Sequence, residues 1–176
     1  MAAGCGTGLS AKCCEAAGCD LIFIYNTARY RMAGASSLAG MLAYGDANAV
    51  TLEMARQIVP VVKRAPVIGG INGTDPFRHW PHYLTELRNH GVSGVLNWPL
   101  AIADAAKAVN PEILVFAHGG PISTRNETEY VLHKTRGVEG FLGGSAMERI
   151  PNEMAQTAAV REFKSIVPPP GNQEGA

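Results

Sequence analysis

Short apolar runs punctuate the chain at residues 21–25, 66–71, 92–96, 113–117 and 138–143. None alternates apolar with polar positions. A strand buried on both faces reads this way, as in a parallel sheet covered by helices. The stretches between them carry helical spacing. Residues 10–18 form a short pattern that stops at Gly18. Val50, Met54, Ile58, Val61 and Val62 mark a helix over 48–64 with a kink at Pro60. Asp75 and Pro76 read as an N-cap and a first helical position. The pattern then runs through Phe77, Trp80, Leu84 and Leu87, and Pro81 divides it into a turn and a helix. An alanine-rich helix is expected over 101–109, ending before Asn110-Pro111. Asn126 with Glu129, and Ser145 with Glu148, are read as cap pairs opening the last two helices. The final helix extends to about residue 166, and Pro168-Pro169-Pro170 stops it, leaving 167–176 as a flexible tail.

Strands alternating with helices predict an α/β architecture with right-handed crossovers. Composition adds exclusions. A 47% apolar and 17% charged chain of 176 residues can bury a core and is not disordered. Balanced charge, 15 basic against 15 acidic residues, predicts no nucleic-acid partner. No apolar run is long enough to span a membrane, and the start has no secretory pattern, so a cytoplasmic location is expected. Cys5, Cys13, Cys14 and Cys19 match no zinc spacing and are read as free thiols, with a redox or nucleophilic role open to Cys5.

Polar and glycine residues gather after each run. Asn26, Arg29 and Arg31 follow the first, Asn72 to Asp75 the second, Asn97 the third, His118 the fourth, and Gly143-Gly144-Ser145 the last. In parallel α/β folds these carboxyl ends share one face, where ligands bind. His118 is the natural acid or base there, with Asp75, Asn26 and Asn97 beside it as catalytic candidates. Gly4-Cys5-Gly6-Thr7-Gly8 precedes a helix and can turn N–H groups toward an anion, as can Gly144 and Ser145. Gly6, Gly8, Lys12, Arg31, Gly144 and Ser145 are therefore the anion-binding candidates. Asp75 and Glu148 are the candidate metal ligands, although a cap role explains each equally well.

Five blocks in order carry a resemblance: Gly4–Lys12, Tyr30-Arg31-Met32-Ala33-Gly34 with Ser37-Leu38-Ala39-Gly40 and Tyr44-Gly45-Asp46-Ala47-Asn48, Gly73-Thr74-Asp75-Pro76-Phe77-Arg78, His118-Gly119-Gly120-Pro121-Ile122, and Ser145-Ala146-Met147-Glu148-Arg149. Together they resemble the phosphoenolpyruvate hydrolase-like TIM-barrel family, also described as IGPS-like. That domain is similar to one in plant inhibitors of tobamovirus replication. The resemblance covers residues 1–166 as one domain. It implies a (β/α)₈-barrel relative, a hydrolase or lyase acting on a small anionic, phosphoenolpyruvate-like substrate. Mg²⁺ as cofactor and a homo-oligomer are both compatible with it. The alternative is a non-catalytic interaction module or a truncated, inactive relative.

The chain departs from the family pattern at Ala35-Ser36, where Arg-Gly is usual, at Asn72 for a usual Cys, and at Ala146 for a usual Ser. It is also short for a barrel, which takes about 200 or more residues. The pattern jumps between Pro99 and Ala101, a gap of about two central β/α units. The chain opens at its glycine loop, and no strand is expected before it. The expected fold is therefore an incomplete TIM barrel of five to six parallel strands with flanking helices.

Overall fold

The computed structural model describes residues 1–97, 110–118, 122, 124–135 and 137–165. Six parallel strands form one sheet: β1 (Ala2–Gly4), β2 (Leu21–Ile24), β3 (Val67–Ile71), β4 (Gly94–Asn97), β5 (Phe116–Ala117) and β6 (Gly140–Gly143). Their order is β4-β3-β2-β1-β6-β5. The last strand therefore lies beside the first, with Ala2 opposite Leu142. In a closed barrel β4 and β5 would be bridged by further strands; among the described residues each has a single neighbour. The fold is an incomplete TIM barrel, open between β4 and β5.

β1 corrects the expectation that no strand precedes the glycine loop. Ala2-Ala3-Gly4 is too short and too small to stand out as an apolar run, yet it occupies the centre of the sheet. Small residues are needed there, because a Cβ at Gly4 would come within 2.4 Å of the Tyr25 hydroxyl.

The helices are α1 (Gly8–Ala16), α2 (Asn26–Met32), α3 (Ala47–Ile58), α4 (Trp80–Asn89), α5 (Arg125–Lys134) and α6 (Arg149–Lys164). Thr7 and Ser10 form a capping box on α1, and Gly18 follows its end at φ +87°. Asp46 caps α3 by accepting from the Ala49 N–H at 2.9 Å. The helix stops at Ile58, where Pro60 turns the chain into a 3₁₀ segment (Val59–Val61) instead of kinking a longer helix. The polar residues that follow the first apolar run form a helix, α2, whose seven residues include buried Asn26, Thr27, Ala28, Tyr30 and Arg31.

Three expected caps are corrected. Asp75 caps a turn, accepting from the Phe77 N–H, and the helix begins only at Trp80 with Pro81 in its first turn. Thr124 and Glu127, not Asn126 and Glu129, form the capping box of α5. Glu148 precedes α6 but makes no side-chain cap with it. The helix expected at 101–109 and the tail at 167–176 lie outside the described residues.

The core sits on β1–β3 under α3 and α4. Ile22, Ile24, Met54, Ile58 and Leu87 are fully buried in it, each contributing about 1.5–3 kcal/mol of transfer free energy. Glu15 ties α1 to the start of β3: its carboxylate accepts N–H bonds from Lys63 (3.0 Å), Arg64 (2.6 Å) and Ala65 (2.9 Å). α5 and α6 bury no residue. No described helix is long and apolar enough to cross a membrane.

Candidate functional site

Parallel pairing puts the carboxyl ends of all six strands on one face. Two polar groups lie there. The inner one is built on Glu148, whose side chain has no exposed surface. Its Oε1 accepts from the Gly6 backbone N–H and from Ser10 Oγ at 2.6 Å. Its Oε2 lies 3.3 Å from Arg31 Nη2, and that side chain is only 2% exposed. Burial pushes the Glu148 carboxyl up, against the pull of Ser10, Gly6 and Arg31.

Arg31 stacks over Tyr25, 5.7 Å from its ring centroid. Its Nε–H is buried without a hydrogen-bond partner among the described residues. Gly144 lies against this guanidinium. A Cβ there would be 3.5 Å from both Arg31 Nη atoms and 3.2 Å from His118 Cε1. His118, half-buried beyond β5, has Nδ1 2.7 Å from the Leu142 carbonyl. A carbonyl only accepts, so in that bond the ring carries its proton on Nδ1 and the neutral ring has its lone pair on Nε2.

The outer group lines a cleft of about 520 Å³ between β2, β3 and the 40–48 segment. Asn48 donates to Asp75 Oδ2 at 2.9 Å and accepts from the Asn72 N–H at 3.0 Å. Arg78 Nε donates to the same Asp75 oxygen at 3.0 Å and its Nη2 pairs with Asp46. The Asn48 hydrogen bond, the Phe77 N–H and Arg78 hold the Asp75 carboxyl below the usual carboxylate range. Asn26 donates to the Gly40 carbonyl at 3.1 Å, fastening the 3₁₀ turn Ser37–Met41 to the start of α2.

The expected residues divide between these groups. Arg31, Gly6, Gly144 and His118 meet at the inner one, with Glu148. Asn26 and Asp75 line the outer cleft. Asn97 accepts from the Gly73 N–H at 3.0 Å and so braces the 72–75 turn. Ser145 is half-buried after Gly144. Gly8 is the first residue of α1 and packs on Val61, where a Cβ would sit at 3.1 Å. Lys12 is exposed on α1. Residues 119–121 lie outside the described part of the chain.

The glycine loop was expected to hold an external anion, but Gly6 spends its N–H on the chain's own Glu148. Sequence reading missed Ser10 and Asn48 as site residues. Membership of Asn48 in the Tyr44–Asn48 block was the available signal.

The family model for phosphoenolpyruvate hydrolase-like proteins matches residues 1–102 and 100–166. The chain belongs to the phosphoenolpyruvate hydrolase-like family. Two tomato (Solanum lycopersicum) proteins are similar to it. The ToMV susceptible protein tm-1(GCR26) is 36% identical and the ToMV resistance protein Tm-1(GCR237) 35% identical, each over 251 residues. Each alignment takes in 94% of this chain and 33% of the tomato protein. The chain thus spans about a third of the length of the curated relatives it matches.

The aligned 251 residues outnumber the chain's 176, and the two family matches meet at 100–102. This phosphoenolpyruvate hydrolase-like domain therefore lacks central units at the place where the sequence pattern jumps. The same break lies between β4 and β5.

Solved structures share the fold at low identity. Phosphonopyruvate hydrolase in complex with oxalate and Mg²⁺ superimposes with a TM-score of 0.58 at 16% identity, over 93% of this chain and 82% of that one. 2,3-Dimethylmalate lyase, a PEP mutase/isocitrate lyase superfamily member, gives 0.54 at 14%, over 99% and 85%.

The residues described here do not fit a Mg²⁺ site of that kind. No three His, Cys, Asp or Glu side chains converge among them. The Asp75 carboxylate already accepts from Asn48, Phe77 and Arg78, and that of Glu148 from Gly6, Ser10 and Arg31. Each accepts three hydrogen bonds, one of them from a guanidinium that would oppose a cation.

Proposed function

We propose that this domain binds a small carboxylate- or phosphate-bearing anion at the carboxyl ends of β2, β5 and β6, and that it is an enzyme. One observation carries the reading: the buried Arg31 Nε–H has no acceptor among the described residues, and Gly144, which has no side chain, lies against the Nη end of the same guanidinium. An unpaired buried donor is costly, so a ligand oxygen that accepts from it gains the difference. His118 stands across Gly144 and serves as base through Nε2. The substrate in this reading is phosphoenolpyruvate-like, and no step is routed through a metal.

In this reading residues 1–166 are the ligand-binding unit. Four free thiols suit a reducing cytoplasm. The outer edges of β4 and β5 support association into a homo-oligomer. The test is calorimetric titration with phosphoenolpyruvate, oxalate and phosphate, each with Mg²⁺ and with EDTA. The reading expects binding that survives EDTA and is lost in Arg31→Lys and Gly144→Ala. Silence of all three anions with the folded wild type rejects it.

The rim of the outer cleft favours a second reading, an interaction module without turnover. Met41, Leu42 and Phe77 are large apolar side chains left exposed there, Phe77 by 94%. A stoichiometric protein partner lost on Phe77→Ser and Leu42→Ser, with no turnover of the anions, selects this reading.

A further inference from the structure

Of the chain's asparagines only Asn72 is followed by glycine. It is half-buried in the wall of the outer cleft, and Gly73 and Thr74 after it are exposed to water. An Asn-Gly bond is open to an intramolecular reaction, because glycine has no Cβ to shield its amide nitrogen from the asparagine side chain. The surroundings both promote and oppose that reaction. Thr74 Oγ1 donates to Asn72 Oδ1 at 2.9 Å, which folds the side-chain amide forward over the Gly73 peptide and polarises its carbonyl. Asn97, the last residue of β4, accepts from the Gly73 N–H at 3.0 Å and holds the proton that has to leave. We propose that Asn72-Gly73 is a deamidation site in the wall of the outer cleft and that Asn97 restrains it.

Water is the only co-reactant. The Gly73 amide gives up its proton and its nitrogen attacks Asn72 Cγ. The N–Cγ bond forms, the Cγ–Nδ2 bond breaks, and Nδ2 leaves with a proton as ammonia. Water then opens the succinimide. Breaking the N–Cγ bond gives aspartate. Breaking the bond from that nitrogen to the Asn72 main-chain carbon gives isoaspartate, with one more carbon in the backbone. Either product adds a carboxylate to the turn that carries Asp75. Asn48 holds the Asn72 N–H at 3.0 Å and its carbonyl at 3.3 Å, and the Asp75 N–H donates to that carbonyl at 3.2 Å. An isoaspartyl backbone breaks this register. A Cβ at Gly73 would come within 2.7 Å of the Asn97 oxygen, so glycine both exposes the amide and lets Asn97 reach it. Among the described residues β4 pairs with β3 alone, so the restraint stands at a sheet edge and lapses when that strand end opens.

The experiment incubates the folded full-length protein at mildly alkaline pH beside a synthetic peptide of residues 65–78. Trypsin, used under mildly acidic conditions, releases the same segment from the protein, with Asn72 as its only asparagine. Mass spectrometry follows the exchange of amide for acid, and an isoaspartyl methyltransferase assay reads the isoaspartate. Conversion of the wild type is expected at Asn72, more slowly than in the peptide. Removing one neutral hydrogen bond frees its donor by roughly 2–10-fold, so Asn97→Ala should convert faster by that factor. Asn97→Asp keeps an acceptor and should hold the wild-type rate. Thr74→Val should convert more slowly, the opposite of what a merely loosened turn would do. An amide that survives in the wild type after the peptide is fully converted, equal rates in wild type and Asn97→Ala, or faster conversion in Thr74→Val would each overturn the assignment.

Discussion

Glu148 accepts a hydrogen bond from the backbone N–H of Gly6, 142 residues away in the chain. That bond joins the first strand's glycine loop to the entrance of the last helix. The carboxylate fills the place in the loop that sequence reading had left for a ligand. Arg31 completes its coordination, and the whole group is out of water. Removing one member of a buried pair leaves the other uncompensated, which costs about 3–5 kcal/mol. Glu148→Ala should therefore lower the unfolding free energy by that amount, read from equilibrium urea denaturation. Glu148→Gln, which still accepts from Gly6 or Ser10, should lose less.

The same carboxyl sets a pH dependence. Its folded pKa is raised, chiefly by burial. A raised pKa means that the folded state holds the proton more tightly, so this group's contribution is fully present below the unfolded value, about 4.3. It is lost as pH rises through the folded value. Asp75 runs the other way. Its depressed pKa contributes stability above the unfolded value of about 3.9, lost as pH falls through the folded one. Acid titration of thermal stability should be steeper in wild type than in Asp75→Asn, and shallower than in Glu148→Gln.

Glycines 6 and 144 should respond differently to a methyl group. At Gly6 a Cβ would meet the Ala28 carbonyl oxygen at 2.2 Å, a backbone atom that cannot move aside. Gly6→Ala should destabilise by about 1–3 kcal/mol, as overpacking does. At Gly144 the nearest atom is 3.2 Å away on a side chain. Gly144→Ala should fold with nearly unchanged stability, measured by calorimetry, and lose anion binding.

His118→Gln should preserve the fold and abolish turnover of an anionic substrate. It should leave calorimetric affinity within about tenfold, because a base acts on the chemical step more than on binding. Equal loss of affinity and turnover would assign His118 to binding alone.

Glu15 offers a control remote from both sites. Its carboxylate holds three successive N–H groups before β3, and those bonds, the Ala65 N–H first, depress its pKa. Glu15→Ala should reduce stability more than the equivalent change at Glu53, whose partners Arg29 and Gln57 lie at the surface. Denaturant midpoints of the two variants check this.

Apolar runs and glycine punctuation are local signals, and they located β2, β3, β4, β5 and β6 within a few residues. They also placed Arg31, Asp75 and His118 at strand ends, because a parallel sheet buries its strands and turns its loops to one face. The family pattern in turn marked the missing units, and the strand order opens at the same point. Local rules failed where a residue's partner was distant. Ala2-Ala3-Gly4 is a central strand only because β2 and β6 flank it. Glu148 has the spacing of a cap, but Gly6, Ser10 and Arg31 together outbid the helix end for its oxygens.

The sequence by itself determined the α/β class, the family, the shortened barrel and the face that carries the polar loops. Tertiary structure alone decided which polar groups are spent on each other. Glycine N–H groups, an arginine and two carboxylates read as a ligand site until folding brings them within hydrogen-bond distance. Once buried, each must take the partner that geometry supplies. What then stands out is what pairing left over: the Nε–H of Arg31, whose guanidinium packs against Gly144.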